Sequence, residues 1–368
     1  MRMLHVVVPL ALVVLVACGS SSEGPSAPSS SVPGAAQPTS PAAPAPSAVP
    51  TDPGSPASPP QSPPRDIVVV TFNTGMHDID SNDAYSGSKA KTVEDYYGSG
   101  LAWDPAIADT AAWLKTVDAD IVGLQEIFDP EECPNIPAEK RTGLVCETWK
   151  PGDPTVAQRI LGPGYQIACQ LEHHDICAAV KLSFGKFQGC TGAVCPDGLG
   201  GVQVPTCGHG GRVGRGVIEL VSGGTLTLAS IHASSGYDAA TVDCRKKQFE
   251  QIFVSLDGAP AANGTRNVVL GDFNTDPGRL TAIDASAQAL ASYVGSGKPL
   301  HFVTAVGSNV SPTYVQTVVP LLPAGLNIDH IASDKLTGSC WTPGVTAGHP
   351  AIGAGYFDHK PQVCTVKP

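Results

Sequence analysis

Asn267–Pro277 reads NVVLGDFNTDP, an apolar run of Val268, Val269 and Leu270 that breaks at Gly271 into Asp272, Phe273 and Asn274. A run of this kind is a buried strand, and Asp276-Pro277 ends it in a turn. Asp272 and Asn274 are two residues apart, so on an extended strand their side chains share one face while Phe273 points back into the packing. A carboxylate and a carboxamide then meet at a strand tip. Such a tip is either a capped turn or one corner of a site, and the other strand tips of the chain decide between the two.

Ile67–Phe72, IVVVTF, is a continuous β-branched run, hence a buried strand, and it ends on Asn73. Asp104-Pro105 reads as an N-cap and first-turn proline, with Ile107, Ala111, Leu114 and Val117 on one helical face. A second buried strand, ADIVGLQE, starts at Ala119 and closes on Gln125 and Glu126. An acid straight after an apolar run is either an exposed strand end or, beside the Asn73 and Asp272 tips, a metal ligand. TLTLASIH, Thr225–His232, alternates as a strand does and ends on an imidazole. NIDHIAS, Asn327–Ser333, sets Asp329 and His330 on opposite faces, and Asp329 is the one assigned to the site. GYFDHKPQV places Asp358 and His359 ahead of a last strand.

The other stretches are less informative. Asp78, Asp80 and Asn82 begin like a calcium loop, but Asp83 stands where that loop needs glycine and Lys89 where it needs glutamate, so a solvated loop is expected. Between Cys133 and Gly211 only Tyr165–Cys169 and Ala178–Phe184 read as strands; the rest reads as disulfide-stapled loop, with His173, His174 and Asp175 in a hairpin loop. The helix after His232 puts Val242, Phe249, Ile252 and Leu256 on one face and the basic cluster Arg245-Lys246-Lys247 on a solvated one. Gly278–Leu326 is weakly patterned helix and loop.

Residues 1–17 have one basic residue, an apolar core and a small-residue boundary before Cys18, which resembles a bacterial lipoprotein signal with Cys18 lipidated. The apolar run is short for a membrane-spanning helix. By that resemblance the chain belongs in the bacterial cell envelope, outside the cytoplasm, and in the outer membrane if the cell is Gram-negative. Residues 18–65 are Ser-, Pro- and Ala-rich and read as a disordered tether, leaving 66–368 as one catalytic domain. The net charge of −11 argues against a protein that grips nucleic acid mainly by neutralising phosphates. It leaves open an enzyme that relies on a metal ion. Of the 11 cysteines, an even number remains once Cys18 is set aside, and an exported chain forms disulfides. One connectivity among many is Cys133/Cys146, Cys169/Cys177, Cys190/Cys195, Cys207/Cys244 and Cys340/Cys364; the cysteine and histidine spacings do not make a zinc site.

Asn73, the QE at Glu126, the strand-end His232, GDFN, the IDHI strand and the DHKPQ segment, in this order, resemble the endonuclease/exonuclease/phosphatase superfamily, the deoxyribonuclease I-like enzymes. GDFN and the terminal DHxP are the most specific parts. The resemblance implies an α/β fold, a four-layer α-β-β-α sandwich of two packed mixed β-sheets with outer helices, and divalent-metal hydrolysis of phosphoesters. It implies Glu126 as the principal metal ligand with Asn73 and Asp358 near the ion. Asp272 and Asn274 would orient water or phosphate, His359 partnered by Asp329 would be base or transition-state stabiliser, and His232 would hold phosphate or assist the leaving group. Oxygen ligands select Mg²⁺, with Mn²⁺ or Ca²⁺ as alternatives. Nucleic acid is the expected substrate and a phospholipid head group or a phosphomonoester the rival, with VVPLLPAG, Val318–Gly325, the only candidate loop for docking on a bilayer. A monomer is expected, joined to the membrane only by its lipid. A catalytically dead binding module is the remaining alternative, and the intact set of site residues speaks against it.

Overall fold

The computed structural model describes residues 65–76, 99–204, 207, 213–307, 313, 325–353 and 357–367. The signal, Cys18 and the tether up to residue 64 lie outside the described residues, as do the 77–89 loop and residues 318–324 of VVPLLPAG. In chain order the strands are β1 (Ile67–Asn73), β2 (Ile121–Gln125), β3 (Tyr165–Gln170), β4 (His173–Lys181), β5 (Gly185–Phe187), β6 (Val194–Leu199), β7 (Val213–Leu220), β8 (Thr225–His232), β9 (Asn267–Asp272), β10 (His301–Phe302), β11 (Asp329–Ser333), β12 (Thr337–Trp341) and β13 (Gln362–Lys367). The α-helices are α1 (Asp104–Val117), α2 (Val156–Leu161), α3 (Ala239–Phe253) and α4 (Ala285–Tyr293).

The strands form two mixed sheets, one ordered β12-β13-β1-β2-β4-β3-β6 and the other β10-β11-β9-β8-β7-β5. β1 runs parallel to β2 and antiparallel to β13, while β9 runs parallel to β8 and antiparallel to β11. Val69, Ile121 and Val180 of the first sheet pack with Leu228, Val268, Leu270 and Ile331 of the second. On the outer side of the first sheet, Val70, Phe72 and Val122 pack with Ile107 and Leu114 of α1 and Ile160 of α2. On the outer side of the second, Ile231 and Val269 pack with Phe249 and Ile252 of α3 and Leu290 of α4. Successive valines such as Val69 and Val70, or Val268 and Val269, therefore serve opposite faces, both covered, which is why these strands read as unbroken apolar runs. Each such side chain removed from water contributes about 1.5–3 kcal/mol. The result is the four-layer sandwich expected from the sequence.

Three details depart from the sequence reading. α1 begins at Asp104 with Trp103 in the capping position and Pro105 in the first turn, and it buries Ala106, Ile107, Thr110 and Leu114, leaving Ala111 and Val117 partly exposed. The stretch expected to be stapled loop holds α2, β5 and β6; α2 opens on a capping box in which Thr155 and Gln158 satisfy each other's backbone. His173, His174 and Asp175 sit at the start of β4, because the turn is made by the two residues before them, with Glu172 at φ 61°. The disulfides are Cys133–Cys146, Cys169–Cys177, Cys190–Cys195, Cys207–Cys244 and Cys340–Cys364, the connectivity proposed from spacing. Cys169 and Cys177 face each other across β3 and β4, and Cys340 and Cys364 across β12 and β13.

Candidate active site

Pairing registers bring the polar tips together before any side chain is considered. Asn73 is opposite Gln125 where β1 and β2 end in parallel, and Thr71 faces Gln362, so the start of β13 lies beside the end of β1. In the other sheet Asp272 pairs with both His232 and Asp329. Asn73 and Gln125 thus end side by side in one sheet, and His232, Asp272 and Asp329 meet in the other.

Asn73 links the two sheets. Its Nδ2 donates to Glu126 Oε1 at 2.9 Å and to Asp272 Oδ2 at 3.0 Å, while its Oδ1 accepts from the Gly75 amide at 2.8 Å. Asp272 also accepts from the Asn274 amide at 2.7 Å and from Asn274 Nδ2 at 3.1 Å. Asn274 reaches this position at φ 47°, in the left-handed region, so the convergence of Asp272 and Asn274 comes from a turn and not from strand alternation. Phe273 is fully buried between them, as expected. Gly271, at φ 141°, admits no side chain, since a Cβ there would lie 1.8 Å from the Ile231 carbonyl oxygen.

The imidazoles complete the arrangement. His232 Nε2 lies 3.3 Å from Glu126 Oε1 and 3.8 Å from Asp272 Oδ2. His359 Nε2 lies 3.8 Å from Asp272 Oδ2, and its Nδ1 lies 2.8 Å from Asp329 Oδ2. Asp329 Oδ1 is buried with no hydrogen-bond partner among the described residues, so this carboxylate depends on the imidazole for compensation. His330 points the other way, to Thr304 and the rings of Phe273 and Phe302.

The electrostatics follow from burial and proximity. Burial lowers the His359 pKa, but the charges of Asp329 and Asp272 and the bond to Asp329 outweigh it and lift it to about 10. Burial likewise works against His232, and the hydrogen bond and charge of Glu126 with the charge of Asp272 raise it to about 9. Burial and the neighbouring Asp329 charge push Asp272 up to about 6, against the pull of both imidazoles. In the metal-free site both histidines are therefore cationic at neutral pH.

A cleft of about 310 Å³ opens onto this group, lined by Glu126, Asp272, Asn274, Asp358 and His359 together with Tyr237, Leu326 and Ile328. The residues suit a hard divalent cation. Glu126 and Asp358 offer carboxylate oxygens to the cleft, and Gly75 leaves space beside them: a Cβ there would lie 2.5 Å from Glu126 Oε2 and 3.0 Å from Asn73 Oδ1. Ligand atoms of Asp272, Asp329 and His359 also lie within 4.8 Å of one another, but His359 and Asp329 are already joined by their short hydrogen bond. The sequence reading missed Thr313, whose hydroxyl accepts from the Ile328 and Asp329 amides and whose carbonyl accepts from the Lys360 amide, tying the Asp329 and His359 segments together. It also missed Gly75 and Tyr237; only the position of Tyr237, shortly after the His232 tip, was a signal.

Two stacked mixed sheets with carboxylates and imidazoles gathered at one edge form the deoxyribonuclease I-like architecture of phosphoester hydrolases. Over residues 70–354 the chain matches the model of the Endonuclease/Exonuclease/phosphatase family; it belongs to that family and is a phosphoester hydrolase. Similar solved structures include humanized D. rerio TDP2 carrying 14 mutations, at 15% identity, covering 82% of this chain and 99% of that one with a TM-score of 0.48. They also include an endonuclease/exonuclease/phosphatase from Beutenbergia cavernae, at 14% identity, 82% and 72% coverage and a TM-score of 0.49. A third is the mannosyl-6-phosphatase of Bacteroides thetaiotaomicron, at 13% identity, 82% and 99% coverage and a TM-score of 0.47. Comparison with curated protein sequences finds no match.

Proposed function

We propose that this chain is a divalent-metal phosphodiesterase of the nuclease type, exported, held to the cell envelope by lipid on Cys18 and working as a monomer. The observation that supports the chemistry is the junction at Asn73, where Glu126 of one sheet and Asp272 of the other share a single carboxamide beside two imidazoles. Glu126 and Asp358, with Asn73 beside them, are the residues to hold Mg²⁺, Mn²⁺ or Ca²⁺. Bound there, the ion supplies charge neutralisation for the phosphate oxygens. Asp272, with a pKa of about 6, is largely ionised at neutral pH and takes the proton of an attacking water that it orients with Asn274. As the water oxygen bonds to phosphorus, the bond to the leaving alcohol breaks. His359, protonated and fixed by Asp329, donates to a phosphoryl oxygen and stabilises the developing charge. His232, also protonated, gives its proton to the leaving oxygen.

Nucleic acid is the first substrate reading. A second reading, a shorter phosphoester such as a phospholipid head group or a phosphomonoester, is favoured by one feature. The hollow of about 440 Å³ adjoining Glu126 is lined by Asp129, Glu132, Glu172 and Asp175, where an extended polyanion meets like charge. Assay of plasmid DNA, RNA, sphingomyelin, inositol phosphates and bis(4-nitrophenyl) phosphate, each with and without Mg²⁺, separates the two. Preferred cleavage of DNA or RNA supports the first; turnover confined to the small esters overturns it.

A further inference from the structure

Arg245 belongs to a run of basic residues on α3 that reads as a solvated face, yet it is fully buried. Its Nε donates to Ser286 Oγ at 2.7 Å, its Nη2 to Asp284 Oδ2 at 3.2 Å, and its Nη1 to the carbonyls of Ser234 at 2.6 Å and Gly236 at 3.0 Å. One turn along the same helix, Gln248 accepts from the Ser234 amide at 2.8 Å and donates to the His232 carbonyl at 3.2 Å. Asp284, the partner of Arg245, accepts from Thr275 Oγ1 at 2.7 Å, immediately after Asn274. The inner face of α3 therefore grips the backbone from His232 to Gly236, and the same ion pair holds the turn that carries Asn274.

Tyr237 is what this grip presents to the cleft. It follows Gly236, remains 39% exposed, and lines the same cleft as Glu126, Asp272, Asp358 and His359. The cleft therefore holds an exposed aromatic ring among its lining as well as the phosphate-handling groups. A flat ring next to a scissile phosphate would lie against Tyr237, and such stacking is tolerant of ring identity. For stability alone, a well-packed apolar pair would replace the buried Arg245–Asp284 ion pair at little cost, whereas the guanidinium fixes two loop carbonyls at once.

We propose that Tyr237 is a specificity residue that packs on a flat ring in the organic half of the substrate, and that Arg245 is the positioning residue that holds it there. This rests on reading the cleft as a phosphohydrolase site. The test is a double-mutant cycle on the full chain with bis(4-nitrophenyl) phosphate in Mg²⁺. Y237A should raise KM about tenfold with kcat within about twofold, and Y237F should behave as the native chain. R245M should reproduce the KM effect, and R245M/Y237A should be no worse than R245M alone. Should R245M fail to fold, T275V and S286A loosen the same clasp, and the smaller KM effects expected from them should vanish in the Y237A background. Unchanged KM in Y237A overturns the specificity role, and additive losses overturn the positioning role. If the native chain hydrolyses no phosphoester, the functional reading fails separately. Calorimetry with 4-nitrophenyl phosphate then decides the ring contact, since Y237A should weaken binding about tenfold and equal binding overturns it.

Discussion

The hydrogen bond of 2.8 Å between His359 Nδ1 and Asp329 Oδ2 joins the two sheets, since Asp329 heads β11 in one and His359 precedes β13 in the other. The bond fixes the ring so that Nε2 faces Asp272. Removing the charge of Asp329 while keeping its shape leaves the imidazole neither oriented nor held protonated. D329N should lower kcat by about 10²-fold with little change in KM, as expected of a group that acts in the transition state. Steady-state kinetics with bis(4-nitrophenyl) phosphate check this, and an effect confined to KM contradicts it.

The same pair makes stability depend on pH in the metal-free protein. The His359 pKa in the folded chain is about 10 against an ordinary value of 6.5, so folding favours the protonated form. Its stabilising contribution is complete below about pH 6.5 and is lost as pH rises through about 10. Urea unfolding in EDTA at pH 6, 8 and 10.5 should show the stability advantage of the native chain over H359N narrowing along that series. A gap that stays constant to pH 10.5 refutes the assignment.

Gly75 gives a test of the proposed metal position that does not pass through catalysis. A methyl group there meets Glu126 Oε2 and Asn73 Oδ1. G75A should weaken Mg²⁺ binding about 10–100-fold by calorimetry, the range seen when groups around a metal's ligands are disturbed. Native Mg²⁺ affinity in a folded G75A protein places the ion elsewhere.

Asp284 tests the buried clasp. Burial raises its pKa, but the bonds from Ser286 and Thr275 and the charge of Arg245 outweigh it and hold it below the usual 3.8. The stabilisation is therefore present above about pH 3.8 and is lost as pH falls through the lower folded value. D284A strands the Arg245 charge and should cost about 3–5 kcal/mol at neutral pH, read from denaturant midpoints. A loss under about 1 kcal/mol shows that Arg245 finds another partner or water.

The apolar runs were legible because both of their faces are covered, so IVVV and VVL run without a polar residue. Each tip alone could have been a capped turn or an exposed strand end; they were legible as a set because the same pattern recurs along the chain. The route by which they meet was not: Glu126 at φ 52° and Asn274 at φ 47° are turned by the surrounding fold, and no local signal sets those angles. Arg245 was misread because its burial is decided by Asp284, 39 residues away in the chain, while its neighbours Lys246 and Lys247 look like a solvated run. β5 and β6 are short and glycine-containing, and their pairing is with distant strands. The Thr155 and Gln158 capping box, by contrast, was a readable signal for α2 that the cysteine-rich surroundings obscured.

In the proposed function Glu126, joined through Asn73 to Asp272, holds a divalent ion that phosphoester hydrolysis requires. The most direct test is hydrolysis of bis(4-nitrophenyl) phosphate by the full chain and by E126A, in EDTA and then in excess Mg²⁺ or Mn²⁺. EDTA should abolish activity of the native chain, and Mg²⁺ or Mn²⁺ should restore it. E126A should stay at least about 10²-fold below the native chain with either ion. Full activity in EDTA, or an E126A protein restored to the native rate by Mg²⁺, contradicts that role for Glu126.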